Sequence, residues 1–397
     1  MDTKLAQHFT YGKLLKFVFP SIVMMIFTSI YSVVDGLFVS NFVGKTAFAS
    51  INLIMGFMMG TGGSAIVAKT LGEGKPEKAN EYFSLIVYTT IIGGLILSIL
   101  GMFLVRPVSI LLGAEGELLE NCVLYGRITF ISLTAFMLQN VFQSFFVTAT
   151  KPKLGLAVIV SAGVTNMVLD YLFIAVLGFG LAGAAIATVC GELIGGLFPI
   201  FYFSRKNSSL LKLGRTKFNG SILLKTCTNG SSELMTNLSS SVVNSLYNIQ
   251  LLKFTGEDGV AAVSIIMYLQ FLCIGIYFGF SMGLSTPLGY AYGDRNFSVC
   301  RVLEKYAYRF FAIAPIILYG CTYLLSPIGV RFFASPDSTV FDMAVSGLRL
   351  YGLGFLFSGI NIFATIRMMT YGKGYISGMI TFLRSFALLL LFLQLRY

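Results

Sequence analysis

Three acidic residues stand out inside long apolar segments of the sequence, where a charged side chain is costly. They are Asp35, Asp170 and Glu233. A carboxylate at the centre of a membrane helix costs about 3 kcal/mol on insertion scales, and such a residue is usually functional. Its oxygens can bind a hard cation or a proton. The sequence therefore predicts ion binding at carboxyl groups within a membrane.

Asp170 has an amide neighbour, Asn166, four residues earlier, so the two side chains share one helix face. Two oxygen-bearing groups in an apolar wall suit a hard cation, or a carboxyl group that desolvation keeps partly neutral and able to bind a proton. A hydrogen-bond cluster between helices, without an ion, is the alternative. Thr188 lies in the next apolar segment, in a run of small residues that permits close helix packing.

Asp35 follows Pro20 by fifteen residues, which is about four helical turns. Proline removes a helix hydrogen bond and bends the helix. The first apolar segment thus combines a charge with a predicted hinge at Pro20. The alternative places Asp35 at a solvated helix end near the outer interface.

A polar stripe runs along the apolar segment that contains Glu233. Its members recur at helical spacing; they are Ser232, Glu233, Thr236, Asn237, Ser241, Asn244 and Asn248. A stripe this polar must face protein or water. We expect Glu233, with Asn237, to bind a cationic solute or a second ion. Packing between two halves of the chain is the alternative.

The composition is that of a membrane protein. Of 397 residues, 56% are apolar and 11% are charged, with a mean hydropathy of +0.82, whereas a soluble chain is about a quarter charged. Unbroken apolar runs of roughly 20 residues recur from end to end, and they do not alternate as barrel strands do. We expect an all-α membrane protein with about eleven transmembrane helices, at 14–40, 46–70, 82–105, 121–148, 154–178, 181–204, 221–253, 260–290, 306–329, 343–370 and 374–396.

Lysine and arginine are concentrated in the loops on one side of these predicted helices. This asymmetry accounts for the net charge of +11 by the positive-inside rule, with no nucleic-acid partner. It places the N-terminus in the cytoplasm, in a multi-pass protein of the inner (plasma) membrane that is surrounded by lipid. The segment Met1–Phe9 is too polar for a cleavable signal.

An internal repeat relates the two halves of the chain. Aligning Gly62 with Gly283 sets an offset of 221 in residue number, and this offset also brings Ser64 onto Ser285. It aligns the charged loop after Gly72 with the loop after Gly293. The second half has extra residues between its first two helices. Six helices separate equivalent points, so the repeats are parallel, and the solute path is expected between them.

The repeat predicts the domain organisation. Residues 1–204 form an N-terminal six-helix bundle, 205–220 a basic cytoplasmic linker, and 221–397 a C-terminal bundle. Because the last residue, Tyr397, aligns with Val176 at the end of the fifth helix, the second bundle is expected to have five helices and to lack a counterpart of the sixth.

Nothing in the sequence supports covalent chemistry. It has no Walker loop and no metal-ligand spacing, and its one histidine, His8, is in the N-terminal tail. We therefore expect no enzyme activity and no cofactor. An ion gradient, of Na⁺ or H⁺, is the expected energy source.

The chain resembles the multidrug and toxic compound extrusion (MATE) family over nearly its whole length. The resemblance rests on Val34–Gly44, Asn166–Phe173, Gly180–Thr188 and Pro287–Asn296, in this order and spacing. It implies the fold of the MOP superfamily, with two six-helix bundles. It also implies an antiporter that exports organic, often cationic or aromatic, drug-like compounds against inward Na⁺ or H⁺ flow. A monomer is expected by the same resemblance.

Matched position by position, the resemblance implies that Pro20 is the bending proline of the first helix. Glu233 falls where some members have a functional acid. The implied cation- or proton-binding site of the N-terminal bundle consists of Asp35, Asn166, Asp170 and Thr188. The same oxygen-rich cluster can serve Na⁺ or H⁺.

The departure from the family pattern is the last helix, which we expect to be missing through natural shortening or truncation. Two other functions stay open. A flippase for lipid-linked saccharides has the same superfamily fold, but should line its cavity with Arg or Lys for pyrophosphate. The other is a non-transporting remnant or a receptor-like membrane protein.

Overall fold

The computed structural model describes residues 10–40, 47–111 and 114–383, apart from the side chains of 32–40, 47–55, 57, 241, 242, 244–249 and 252. Over this part of the chain the regular structure is helical, without strands. The helices are α1 (Tyr11–Ser40), α2 (Ala47–Gly72), α3 (Pro76–Leu111), α4 (Gly116–Thr148), α5 (Pro152–Asp170), α6 (Gly180–Ser204), α7 (Gly220–Phe254), α8 (Gly256–Gly293), α9 (Phe297–Arg331), α10 (Thr339–Tyr351), α11 (Phe355–Thr370) and α12 (Gly374–Phe382).

The described residues form eleven helical rods. Helices α10 and α11 are separated only by a 3₁₀ turn, Gly352–Gly354, and together make one span, Thr339–Thr370. Eight helices of the described ranges are long and apolar enough to cross a membrane. The prediction of an all-α membrane protein with about eleven spans is confirmed, although positions 384–396 of the last predicted span lie outside the described residues.

Short polar turns end and restart the helices at one end of the bundle. Helix α2 ends at Gly72, Gly74 has a φ of 73°, and Pro76 begins α3. In the second half, the side chain of Asn296 caps α9 by accepting from the backbone N–H of Val299 at 3.2 Å. We call this end, formed by the turns 73–75, 149–151, 294–296 and 371–373, the basic end, since Lys75, Lys151, Arg295 and Lys373 lie in it.

The two halves meet through helices that the repeat relates. Helix α1 packs on α8, its counterpart α7 packs on α2, and α2 packs on α8. At the basic end, a side-chain carbon added at Gly72 would overlap the carbonyl oxygen of Tyr290, and one added at Gly293 would overlap that of Lys69. Since the repeat aligns Lys69 with Tyr290 and Gly72 with Gly293, the two contacts are symmetry mates about an axis between the halves.

The first helices of the two halves, α1 and α7, correspond at an offset in residue number other than 221. Gly62 packs on the backbone of Thr226, and its repeat mate Gly283 packs on Val18. Thr226 therefore corresponds to Val18, which is an offset of 208 in residue number. The difference between the offsets of 221 and 208 is thirteen positions, which accounts for the extra length that the sequence places between α7 and α8.

The segment between α6 and α7 is bound along the start of α3. Leu211 is fully buried in the core of the N-terminal half. The backbone N–H of Lys212 donates to Asn80 Oδ1 at 2.7 Å, and that of Gly214 donates to Ser84 Oγ at 3.0 Å. These bonds attach the basic segment to the six-helix half that precedes it.

The cores of the two halves differ near the basic end. In the first half Phe203 of α6 stacks on Phe142 with ring centroids 5.7 Å apart and lies 5.1 Å from Phe83. At the positions equivalent to Phe83 and Phe146, the second half has Glu304 and Arg367, which form an ion pair at 2.5 Å. An aromatic core in one half is thus replaced by a charged pair in the other.

Candidate functional site

Asn166, Asp170 and Thr188 form one buried cluster between α5 and α6. With its amide oriented to satisfy both neighbours, Asn166 donates from Nδ2 to Asp170 Oδ2 at 3.2 Å, and its Oδ1 accepts from the backbone N–H of Thr188 at 3.2 Å. Asn166 and Asp170 are fully buried, and Thr188 is 6% exposed. The structure thus brings together three of the four residues of the predicted ion site.

Small residues allow α5 and α6 to approach closely enough for this cluster. A side-chain carbon at Gly191 would lie 2.9 Å from the carbonyl oxygen of Ala162 and 3.1 Å from Cβ of Asn166. Asp170 is the last residue of α5, and a wider π-helical turn, Tyr171–Val176, follows it. The glycine run of α6 therefore sets the distance between the two helices at the site.

The cluster presents oxygen atoms of the kind that bind a hard cation or a proton. The hydroxyl of Thr188 donates to the carbonyl oxygen of Ala184 at 3.0 Å, so towards the cluster its oxygen can act only as an acceptor or ligand. Asp170 supplies a carboxylate and Asn166 an amide oxygen. Among the described residues no group of three or more His, Cys, Asp or Glu side chains could hold a metal ion, so a divalent-metal centre is not indicated there.

The side chain of Asp35 lies outside the described residues, but its place in α1 is known. Phe27 and Tyr31 of α1 pack on α5, since a side-chain carbon at Gly163 would lie 2.6 Å from Cε1 of Phe27 and 3.5 Å from Cβ of Tyr31. Position 35 is one turn beyond Tyr31. Pro20 is buried within α1, which is one continuous helix from Tyr11 to Ser40.

Glu233 is placed apart from the cluster. It is 4% exposed and belongs to α7, which packs on α2, α8 and α12, whereas α5 and α6 pack on α1 and α4. Asn237 donates its amide to the backbone carbonyl of Glu233 at 2.8 Å. The side chains of Ser241, Asn244 and Asn248, further along the predicted stripe, lie outside the described residues.

Asn229, one turn before Glu233, joins the two halves. Its Nδ2 donates to the carbonyl oxygens of Gly62 at 3.2 Å and Met369 at 2.9 Å, and its Oδ1 accepts from the backbone N–H of Gly374 at 3.1 Å. This residue was not among the predicted site residues. Its only sequence signal was an amide three residues before the first member of the polar stripe, Ser232.

Glu192 is a buried carboxyl group that the sequence prediction missed. It is 9% exposed, lies one turn after Thr188 on α6, and accepts a 2.5 Å hydrogen bond at Oε2 from the hydroxyl of Ser132 on α4. The signal was available, since an acid within the apolar span Gly180–Ser204 meets the same criterion as Asp170.

Hydroxyl groups line the junction of the halves next to the basic end. Thr148 of α4 and Thr286 of α8 are 3.4 Å apart across the junction. Within the second half, the hydroxyl groups of Ser285 and Thr370 are 2.9 Å apart. A narrow cavity between these helices is lined by Thr61, Ser64, Ser144, Met282, Ser285, Thr286, Ile366 and Met369. The halves are therefore in contact at the basic end in this structure.

Comparison with known proteins gives a consistent result. The MatE family model matches residues 20–172 and 234–393. A curated relative, multidrug export protein MepA of Staphylococcus haemolyticus, is 23% identical over an alignment of 367 positions that covers 87% of this chain and 80% of the relative.

Two solved structures show the same fold. One is a MATE protein in complex with MaL6, with a TM-score of 0.89, 21% identity, and coverage of 97% of this chain and 89% of that one. The other is a MOP superfamily transporter from Pyrococcus furiosus, described as having a binding pocket of reverse polarity that suggests a different function. Its TM-score is 0.86, with 22% identity and coverage of 97% and 88%.

Proposed function

This chain belongs to the MatE family of membrane transporters, and we propose that it is an antiporter that exports organic, drug-like solutes in exchange for Na⁺ or H⁺. As a family member the chain is a multi-pass transport protein and not an enzyme. The coupling ion, the solute class and the direction of transport belong to the proposal. The multidrug export relative supports them.

One observation favours a cationic solute over a pyrophosphate-linked one. Among the described residues, the buried charged side chains within the helices are all acidic: Asp170, Glu192 and Glu233. A flippase for lipid-linked saccharides would need arginine or lysine at such positions to bind pyrophosphate. The acidic groups therefore support export of cations.

The basic end faces the cytoplasm in this proposal, since cytoplasmic loops are enriched in lysine and arginine. The N-terminus is then cytoplasmic, in the inner (plasma) membrane. Contact between α2 and α8 at Gly72 and Tyr290 closes the cytoplasmic side of the solute path. The described state is thus one in which solute does not enter from the cytoplasm.

Ion binding at Asp35, Asn166, Asp170 and Thr188 drives the exchange. A cation or proton neutralises the carboxyl groups, which changes how α1 packs on α5, and the buried Pro20 is where α1 can bend. Ion and solute must bind the two states with different affinities for one to drive the other. Glu233, on the opposite half, contacts the solute or a second ion in this proposal.

A dye-efflux assay in cells that lack their own multidrug pumps tests this function. Expression of the wild-type chain should speed the efflux of ethidium, and Asp170→Asn should remove about nine-tenths of that gain at equal membrane expression. Glu117→Gln is the matched control, because Glu117 is exposed at the far end of α4. Absence of efflux above the empty-vector level, with ethidium and with neutral and anionic dyes, would reject the proposal in favour of a flippase or a non-transporting protein. In this proposal the chain exports the dye as a monomer.

A further inference from the structure

We propose that Glu192 is a second proton-binding carboxyl group of the N-terminal half, separate from the Asp170 cluster, and that it exchanges its proton during transport. This inference rests on the proposed ion-coupled export. It adds a residue to which neither the family resemblance nor the comparisons assign a role.

Glu192 lies at the middle of α6, a helix long and apolar enough to cross a membrane. It is twelve residues from Gly180 at one end of α6 and twelve from Ser204 at the other, so each end is about 18 Å away at 1.5 Å per residue. A carboxyl group at this depth has a standing cost in its charged form. A carboxyl group in this position is therefore a candidate for a function in which its charge changes.

The partner of Glu192 suits either protonation state. Ser132 Oγ donates to Oε2 at 2.5 Å, a length typical of a hydroxyl bonded to a carboxylate. A serine hydroxyl can also reverse its role and accept from a protonated carboxylic acid, which the guanidinium of an arginine cannot do. Proton exchange at Glu192 therefore requires no rearrangement of α4 against α6.

Two buried amides extend the polar path from Glu192 towards the basic end. Gln139 of α4 packs against Gly195, which lies three residues after Glu192 on the same face of α6. Gln139 and Gln143 are 5% and 2% exposed, and within the described part of the chain Gln139 Oε1 and Gln143 Nε2 have no hydrogen-bond partner. These two amides are thus buried polar groups between Glu192 and the basic end.

The titratable groups around Glu192 come from each helix that packs on α6. Asp170 is buried on α5, and the exposed Arg127 lies five residues before Ser132 on α4. The remaining titratable residues of α6 and its neighbours are Cys190 and Tyr202 of α6, Glu117, Glu120, Cys122 and Tyr125 of α4, Lys153 of α5, Tyr171 of the π-helical turn, and Tyr11, Lys13, Lys16, Tyr31 and Asp35 of α1, the side chain of Asp35 lying outside the described residues. Because Thr188 and Glu192 are one turn apart on α6, ion binding at the Asp170 cluster and protonation of Glu192 act on the same helix.

The test is the pH dependence of ethidium binding and export by the purified protein in proteoliposomes. Because the hydroxyl of Ser132 is hydrogen-bonded to Glu192, Ser132→Ala should shift the pH midpoint of ethidium binding by about one unit. Glu192→Gln should remove that titration step and lower proton-driven export about tenfold. Glu117→Gln should match the wild type in both measurements. Thermal unfolding of each variant checks that the fold is intact, and Glu192→Asp, which keeps the carboxyl group, should retain a titration step.

The outcomes separate this inference from the proposed function. If the wild type exports under an ion gradient and Asp170→Asn does not, while Glu192→Gln and Ser132→Ala both keep the wild-type pH profile, the inference is wrong and the function stands. If the wild type exports nothing under any gradient, both are wrong. A Glu192→Gln protein that unfolds leaves the Ser132→Ala midpoint as the deciding measurement.

Discussion

Gly72 of α2 lies directly against the carbonyl oxygen of Tyr290 in α8, with no space for a side chain between the two helices. The repeat generates the same relationship on the other side of the axis, between Gly293 and Lys69. Backbone therefore packs on backbone at two symmetric points of the basic end, and we call this pair of contacts the gate. This closure follows from sequence positions that the two halves share.

Gly72→Ala should weaken this closure, because a methyl group would overlap a carbonyl oxygen that cannot move independently of α8. Overpacking of this kind costs about 1–3 kcal/mol. A cysteine introduced at Ser64, which lines the cavity behind the gate, should then react about tenfold faster with an impermeant maleimide added from the cytoplasmic side, in a protein whose native cysteines are replaced.

Gly320→Ala is the control for the gate, since its added carbon meets no atom within 4 Å. Gly293→Ala should behave as Gly72→Ala does. Equal labelling rates in the gate and control variants would show that the close approach is not what excludes the reagent.

Thr188→Ala should raise the ion concentration needed for half-maximal efflux by about tenfold, because it removes one oxygen from the cluster with Asn166 and Asp170. Thr188→Ser keeps the hydroxyl and should restore wild-type behaviour. The measurement is ethidium efflux as a function of Na⁺ concentration and of pH. If Thr188→Ser and Thr188→Ala give the same defect, the loss of the threonine methyl group, and not of the oxygen, causes it.

Asn229→Ala should destabilise the whole protein, because it leaves the carbonyl groups of Gly62 and Met369 and the N–H of Gly374 without their shared partner. The backbone N–H of Gly374 would then be a buried donor without its partner, which costs about 1–3 kcal/mol, whereas the carbonyl of Met369 keeps the hydrogen bond from the N–H of Gly372. Thermal unfolding in detergent should show a clear drop in Tm. Thr228→Ala, an exposed neighbour whose hydroxyl bonds only within α7, should leave Tm nearly unchanged.

Glu304→Gln should also lower Tm, because Glu304 accepts hydrogen bonds from Arg367 at 2.5 Å and from the hydroxyl of Tyr371 at 2.6 Å. The pair is partly solvent-exposed, so we expect a loss of about 1–2 kcal/mol, below that of a fully buried pair. A double-mutant cycle with Arg367→Gln measures the coupling. If the stability losses of the two single variants simply add in the double variant, the ion pair contributes nothing beyond the packing of each side chain.

Much of the fold could be predicted because apolar runs and a constant repeat offset are properties of the sequence itself. Helix ends were harder. Helix α3 extends from Pro76 to Leu111, beyond the predicted 82–105, since helical hydrogen bonds continue into polar residues that hydropathy excludes. The turn at Gly352–Gly354 divides a span predicted as one helix.

In the candidate site, contacts between residues close in sequence could be predicted, and contacts between distant residues could not. Asn166 and Asp170 are four residues apart, so their shared face follows from helical periodicity. Ser132 is sixty residues from Glu192, and sequence spacing says nothing about a partner at that distance. Periodicity identifies the face of a helix, and only tertiary packing identifies what that face contacts.

The central claim is that an ion gradient acting through Asp170 drives solute export, and one measurement tests it most directly. Ethidium efflux from proteoliposomes is recorded with an inward Na⁺ gradient, an inward H⁺ gradient or neither, before and after an ionophore dissipates the gradient. We predict that one gradient drives efflux in the wild type, that the ionophore stops it, and that Asp170→Asn shows only the rate without a gradient. Equal efflux with and without gradients, or an Asp170→Asn protein that responds like the wild type, would contradict the account.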